Sequence, residues 1–246
     1  MEHPTLISGS TFCKLYSSFW REVAPTTDLF IRRLNLGQYE RDFPEIEAPT
    51  APSRRGFINE VAFELFCRSI RRNERWPSVR PSTEQANSAA HDVQSSVSRR
   101  ERERGSEFGS QLLSEEIADI AEQHDRLMRV FTFYYLGATI LPEPTFRGCG
   151  IVDTCIGDLL VAATLFEVKA GDRFFRSIDV RQLMTYAALN HVSHQYEIKK
   201  AGLFNPRVGI RVEIDLEELC FEISGKKSVE LLTEIALALS SGEVSR

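Results

Sequence analysis

The sequence has no run of 18 or more apolar residues, and its first residues do not place an apolar stretch behind a charged one. The first absence argues against a membrane-spanning helix, and the second argues against a secretory signal peptide. The five cysteines are widely separated and include no Cys-x-x-Cys pair. This spacing is typical of reduced thiols and argues against a zinc site. We therefore expect a cytoplasmic protein that does not enter a membrane.

The sequence also lacks an excess of positive charge. It carries 30 Lys and Arg against 35 Asp and Glu, for a formal net charge of −5, and the acids concentrate in its second half. Because proteins that mainly hold phosphates are usually basic, any contact with nucleic acid would have to be local. The densest basic segment is 67–80, where Arg71 and Arg72 are the candidate nucleic-acid-binding residues. The alternative is that these arginines lie on a solvated helix face.

Other catalytic motifs are missing as well. The chain has no Gly-rich phosphate loop and no Ser-His-Asp signature. His191 and His194 lie three residues apart, but no third ligand is near them in the sequence. We therefore expect these histidines to lie at a helix end rather than to bind a metal.

The pattern of the chain predicts two parts. Residues 1–55 combine a helical segment with a proline-containing connector and form a helical N-terminal extension, which we expect to contact a protein partner or a second copy of the chain. Residues 56–246 form the main domain, which begins with a helix. Within it, residues 77–110 are polar and rich in small side chains, so we expect a mobile insertion or a solvated helix rather than core.

The second half alternates between helical and extended patterns. Apolar residues recur at helical spacing in 112–136 and again in 177–193. Extended segments begin at residue 146 and return in 195–215, and two short helices close the chain. The predicted fold class is α/β, of the α+β kind, with a central mixed sheet flanked by helices.

One short stretch, "GDLLVAATLFEVKAG" at 157–171, carries the chemistry. In a strand, Glu167 and Lys169 leave the same face, and a hairpin before them brings Asp158 beside that face. Two carboxylates and an ammonium group are costly to bury together unless a cation binds between them. The pattern therefore predicts that Asp158 and Glu167 hold Mg²⁺ or Mn²⁺. Lys169 would orient, or help to deprotonate, the water that attacks phosphorus.

Two alternatives remain open at this point. Glu167 and Lys169 could form a solvent-facing pair. The second acid-x-Lys tripeptide, Glu197-Ile198-Lys199, we expect to belong to an ordinary strand. Asp153 competes with Asp158 as the first acid, although Asp158 directly enters the strand that pairs with the motif.

The segment "GDLLVAATLFEVK" followed by "RQLMTYAAL" resembles the PD-(D/E)XK nuclease superfamily, which has the restriction-endonuclease-like fold. The resemblance places the family's acids on Asp158 and Glu167 and its lysine on Lys169. The branch with a Gln-x-x-x-Tyr helix motif is matched by Gln182 and Tyr186. Similarity extends over about residues 56–76 and 111–216.

The resemblance implies a metal-dependent nuclease that acts on DNA rather than RNA, in an antiviral defence or mobile-element setting. It makes Asp158, Glu167, Lys169, Gln182 and Tyr186 the catalytic set, and it adds Glu64 of the first core helix as a metal ligand. A member that keeps the fold without catalysis, as a nucleic-acid-binding or assembly subunit, is the alternative.

Overall fold

The computed structural model describes residues 6–47, 50–77, 79–100 and 111–242. These residues form nine α-helices and one π-helix. They are α1 (Gly9–Leu15), α2 (Ser17–Val23), α3 (Thr27–Asn35), α4 (Pro52–Arg71), α5 (Thr83–Arg100), α6 (Ser114–Met128), a π-helix (Arg129–Tyr134), α7 (Ser177–Ser193), α8 (Leu216–Ser224) and α9 (Ser228–Ser241).

The strands are β1 (Glu40–Arg41), β2 (Ile140–Pro142), β3 (Thr145–Phe146), β4 (Cys155–Ile156), β5 (Leu159–Val161), β6 (Thr164–Val168), β7 (Lys200–Asn205) and β8 (Ile210–Asp215). Six of them form one sheet in the order β1-β8-β7-β6-β5-β2, and β3 pairs with β4 separately. Within the large sheet β6 and β7 are parallel, and the other neighbours are antiparallel. The connection between the parallel strands contains α7, as a crossover requires.

The side chains of β6 alternate between two hydrophobic layers. Leu165 points toward the layer that contains α7, and Phe166 points toward the layer that contains the π-helix and the end of α4. Phe166 contacts Phe131 with ring centroids 5.1 Å apart. Because side chains alternate along a strand, Glu167 lies on the α7 side, like Leu165. The fold class is confirmed at the level of a mixed sheet with helices on both faces; the restriction-endonuclease-like core stays a prediction.

The N-terminal helices form part of the main core. Phe12 of α1 and Trp20 of α2 are at most 1% exposed and belong to the same hydrophobic cluster as α7 and α9. Strand β1 pairs with β8 at the edge of the sheet, with Glu40 opposite Arg211. The boundary predicted at residue 55 falls inside α4, because this helix begins at Pro52. Proline is well accommodated there, since the first helical N–H has no partner within the helix.

The polar segment 77–110 contains a helix that contributes to the core. Three alanines of α5, at positions 86, 89 and 90, are at most 1% exposed. They pack in one cluster with Ile58, Val61 and Leu65 of α4. The prediction that this segment lies outside the core is therefore wrong for α5; residues 101–110 fall outside the described ranges. Within the described ranges, every helix is too short or too polar to cross a membrane.

Candidate functional site

The β5–β6 hairpin brings the predicted acids together. Its strands pair with Leu159 opposite Phe166 and Leu160 opposite Leu165, and the turn contains Ala162 with φ of 51°. Extending this register by one residue places Asp158 opposite Glu167. Both side chains lie on the α7 face, because Asp158 has the same parity as Leu160.

The Asp158 side chain is tied to the backbone of the motif. Its Oδ2 accepts a hydrogen bond from the Val168 amide at 2.7 Å. On the other side of β6, the Lys169 amide donates to the Phe204 carbonyl at 2.8 Å. Burial is the main cause that raises the pKa of Asp158, and Lys169 partly opposes it. The hairpin and the neighbouring strand β7 thus fix the end of β6 from both sides.

Glu167 is 2% exposed, and its two oxygens have different surroundings. Oε1 accepts a hydrogen bond from Lys169 Nζ, while Oε2 has no hydrogen-bond partner among the described residues. Burial, and then the charge of Asp158, raise the pKa of Glu167 to about 8. A buried carboxylate oxygen without a partner is costly, so this position favours the binding of a positive group.

Lys169 is the single cation between these acids in the described structure, and it is held in its charged form. Burial lowers its pKa, but Glu167 and Asp158 outweigh that effect and raise the pKa above its ordinary value. The predicted solvent-facing alternative for Glu167 and Lys169 does not describe this pair, since Glu167 is buried. Glu197 and Lys199 are exposed instead, at 71% and 68%, and they lie just before β7 rather than within a strand as the sequence predicted.

Helix α7 places the Gln-x-x-x-Tyr pair beside the acids. Tyr186 is 6% exposed and stacks on Phe146 with ring centroids 5.5 Å apart and planes inclined by 3°. Burial, then Glu167 and Asp158, raise its pKa well above its usual range, and Gln182, one helical turn earlier, partly opposes this rise. The phenol therefore keeps its proton near the two carboxylates.

A third carboxylate, Asp179, lies near the first turn of α7 and is fully buried. It accepts two hydrogen bonds from Arg173, at 2.8 and 2.9 Å, and one from the Arg176 amide at 2.8 Å. Its charge is one of the causes that raise the pKa of Asp158 and of Glu167. The sequence indicated Asp179 only as a residue near a helix start.

The loop after Lys169 is held by buried amide and guanidinium groups. Asn205 Nδ2 donates to the carbonyls of Gly171 and Arg173, at 2.9 and 3.0 Å. Arg207 Nε donates to the Ala170 carbonyl at 3.3 Å, and its Nη2 forms an ion pair of 2.8 Å with Asp119. These residues were not predicted as part of the site, because they lie far from the motif in sequence.

An open groove runs between α4 and the motif strand. Glu64 lines it together with Asp158 and Lys169, but Glu64 comes from the helix that packs on the opposite face of the sheet. Its carboxylate is paired with Arg68 at 2.7 Å. Glu143, which was not predicted, lies closer to the motif, since its amide donates to the Asp158 carbonyl at 3.0 Å.

The two arginines predicted to bind nucleic acid are each paired with a carboxylate. Arg71 pairs with Glu143 at the rim of the groove, and Arg72 pairs with Glu74 at 2.7 Å. Their charges are therefore partly neutralised within the protein. Asp153, the competing first acid, is exposed and accepts a hydrogen bond from the Thr154 amide at 2.6 Å.

The donor set of the site fits a hard divalent cation through two carboxylates, Asp158 and Glu167. These are oxygen ligands, and Glu167 Oε2 is buried without a partner. The described part of the chain contains no group of three or more His, Cys, Asp or Glu side chains that could hold a metal ion, so Glu64 is not brought into one group with the other two.

The chain matches no protein-family model, and no curated protein matches it at a significant level. The interpretation of the site therefore depends on its geometry and on the motifs in the sequence.

Proposed function

We propose that the protein is a metal-dependent nuclease that hydrolyses phosphodiester bonds, with DNA as its substrate rather than RNA. One observation carries the proposal: within the described part of the chain, Glu167 is buried opposite Asp158 with one oxygen unpartnered and a single lysine to balance two acids. An added divalent cation would satisfy the oxygen and offset the repulsion between the carboxylates. The motifs that resemble PD-(D/E)XK nucleases support the same function.

In this proposal Asp158 and Glu167 hold Mg²⁺ or Mn²⁺, which supplies Lewis-acid stabilisation of charge on the phosphate when bound. Lys169 stays protonated at neutral pH, because the carboxylates raise its pKa. It therefore orients the attacking water and attracts the phosphate through its charge. Tyr186 also keeps its proton, and together with Gln182 it positions that water or the backbone of the substrate.

The direct test is cleavage of labelled DNA and RNA by the purified protein with Mg²⁺, with Mn²⁺ and with a chelator. We expect cleavage that requires the metal and that falls at least about a hundredfold in Lys169→Ala. The matched control is Lys199→Ala, which alters the exposed second acid-x-Lys tripeptide and should leave the rate unchanged. Metal-independent cleavage, or full activity of a folded Lys169→Ala variant, would contradict the proposal.

One observation favours a second candidate, an inactive nuclease-fold subunit that binds nucleic acid or assembles with a partner. Acids outnumber cations on the groove wall, where Glu60, Glu64, Asp92 and Glu143 join Asp158. Such a wall repels a phosphate backbone at low metal concentration, so within this candidate it favours assembly with a partner over binding of nucleic acid in the groove. Calorimetric titration with Mg²⁺ separates the two candidates, because an inactive subunit without a metal site should show neither binding nor thermal stabilisation.

A further inference from the structure

Three aromatic side chains form a connected surface beside the end of α4, and we call Trp76, Phe133 and Tyr134 the aromatic platform. Trp76 and Phe133 have ring centroids 5.2 Å apart, and Phe133 and Tyr134 have centroids 5.9 Å apart. Phe133 is 50% exposed and Tyr134 is 42% exposed. Contiguous exposed aromatic area on a protein surface marks a binding site more often than isolated apolar residues do.

The π-helix explains why these rings face outward. Helix α6 continues into Arg129–Tyr134, where the wider turn keeps Phe131 fully buried against Phe166 and Phe204. The next aromatic residues, Phe133 and Tyr134, then lie on the surface. Single π-helical turns inside longer helices occur frequently at functional sites.

Trp76 is fixed in place rather than loosely attached. Its amide donates to Thr132 Oγ1 at 2.8 Å, and its indole Nε1 donates to Asp125 Oδ1 at 3.1 Å. Thr132 in turn donates to the Met128 carbonyl at 2.7 Å. The backbone amide and the indole N–H of Trp76 are thus both tied to the α6–π-helix segment, so the orientation of the ring is fixed before a ligand binds.

Arginines lie against the platform and recur in the segment around Trp76. Arg211 lies over the Tyr134 ring at 5.9 Å and is paired with Asp42 at 2.9 Å. Arg129 lies over the Trp76 ring at 5.2 Å and over Phe43 at 5.6 Å, and its Nε is buried without a hydrogen-bond partner. Arg75 and Arg80 are exposed. Among the residues that the structure describes, Arg75, Arg80 and Arg129 form no ion pair, in contrast to Arg71 and Arg72.

From this arrangement we infer that the aromatic platform binds single-stranded nucleic acid, with bases stacked on the rings and phosphates held by Arg75, Arg80 and Arg129. Bases of a single strand offer free faces for stacking, whereas those of a duplex are covered by their neighbours. Unpaired guanidinium groups provide the complementary charge. The inference rests on the proposed function in one respect: the single strand bound by the platform is the substrate of the Asp158–Glu167 site.

A chain of contacts links the segment that carries Trp76 to the groove of that site. Arg71, five residues before Trp76, pairs with Glu143, whose amide is hydrogen-bonded to the Asp158 carbonyl. The end of α4 therefore leads from the first acid to the platform. A strand held on the rings could extend from there into the groove.

The test measures binding in the presence of a chelator, so that no metal-dependent cleavage takes place. Fluorescence anisotropy with labelled oligo-dT, oligo-rU and a DNA duplex compares the three substrate types. We expect oligo-dT or oligo-rU to bind more tightly than the duplex, and the comparison of the two distinguishes DNA from RNA. Binding should also quench Trp76, whereas the only other tryptophan, Trp20, is 1% exposed.

Phe133→Ala and Tyr134→Ala should each weaken binding of the single strand at least about fivefold, through loss of stacking. The matched control is Phe221→Ala, which removes a ring that is 64% exposed on α8 and should leave binding unchanged. The slope of log binding constant against log salt concentration should become less steep by about 0.7 in Arg129→Met, which is the contribution of one phosphate contact.

Four outcomes would overturn the inference. The first is no binding of either single strand, and the second is an equal loss in Phe221→Ala. The third is duplex binding that is tighter than single-strand binding and unaffected by Phe133→Ala. The fourth is a dimer, seen by sedimentation, that dissociates in Phe133→Ala, because a second copy would then cover the rings. If the protein binds single strands but does not cleave nucleic acid, only the proposed hydrolysis is rejected. If it cleaves nucleic acid but does not bind single strands at the platform, only this inference is rejected.

Discussion

Asp158 and Val168 are joined by a hydrogen bond of 2.7 Å from the Val168 amide to a carboxylate oxygen of Asp158. Val168 is the middle residue of the acid-x-Lys tripeptide, so this bond fixes the first acid relative to both Glu167 and Lys169. The position of the first acid is thus set by the backbone of the motif rather than by its side chains.

We expect Glu167→Gln to stabilise the protein when divalent cations are absent. The substitution removes the more deeply buried of two acids that face a single lysine, so the free energy of unfolding should rise by about 2 kcal/mol at pH 8. Urea denaturation with a chelator present measures this change. Glu197→Gln, in the exposed second tripeptide, should have almost no effect. A Glu167→Gln variant that is less stable than the unchanged protein would show that the acid is satisfied without a metal.

Divalent cations should stabilise the protein through Asp158. At a Mg²⁺ concentration 100 times its dissociation constant, binding to the folded state adds about 2.7 kcal/mol to the free energy of unfolding. Asp158→Asn should abolish this gain, and Asp153→Asn should retain it, because Asp153 is exposed and lies outside the site. Thermal melts over a Mg²⁺ series give the comparison. If Asp158→Asn and Asp153→Asn lose the stabilisation by Mg²⁺ equally, the assignment of Asp158 rather than Asp153 as the first acid is contradicted.

The buried His124 should make stability depend on pH. Burial lowers its pKa from 6.5 to about 4, and its Nδ1 has no hydrogen-bond partner among the described residues. Between these two pKa values the unfolded chain binds one more proton than the folded chain, so stability is full above pH 6.5 and decreases as the pH falls toward 4. The loss amounts to about 3 kcal/mol.

Urea denaturation across that pH window, compared between the unchanged protein and His124→Gln, isolates the contribution of His124. The variant should lose this part of the pH dependence. His91→Gln serves as the control, since the His91 side chain is 76% exposed. Identical pH dependence in the unchanged protein and His124→Gln would mean that other groups cause the acid sensitivity.

A methyl group at Gly202 should destabilise the sheet beneath the site. Gly202 lies opposite Phe166 in the β6–β7 pair, and a Cβ there would approach the Phe166 ring to 2.2 Å. Because Phe166 is fully buried, Gly202→Ala should cost about 2 kcal/mol or more. Gly56→Ala is the control, because this helical position is open and should gain up to about 1 kcal/mol. Unchanged stability of Gly202→Ala would show that the ring can move aside.

The strands and helices around the motif could be predicted because their sequence signals are local. Alternating apolar residues mark β8, and helical spacing marks α7, α8 and α9. Strands β1 and β2 were not predicted, since they have two and three residues and depend on distant partners. Helix α5 was predicted to lie outside the core because its buried face consists mainly of alanine, which supports close helix packing without large apolar groups.

The candidate site was predictable to the extent that it lies within one hairpin. Asp158, Glu167 and Lys169 follow from strand parity and the short turn, whereas Gln182 and Tyr186 came only from the resemblance. Glu143 and Arg173 gave no signal, because their proximity to the acids depends on β2 and on the loop after β6. Residues that meet only through tertiary structure have no spacing in the sequence that identifies them.

The pairing of β1 with β8 has a consequence for synthesis on the ribosome. Glu40 is translated 171 residues before its partner Arg211, and α1 precedes α9 of the same cluster by a still longer interval. The aromatic side chains of the first helices therefore lack their final packing partners while most of the polypeptide is still being synthesised. Until α9 emerges, the nascent chain therefore exposes apolar surface of the kind that chaperones cover.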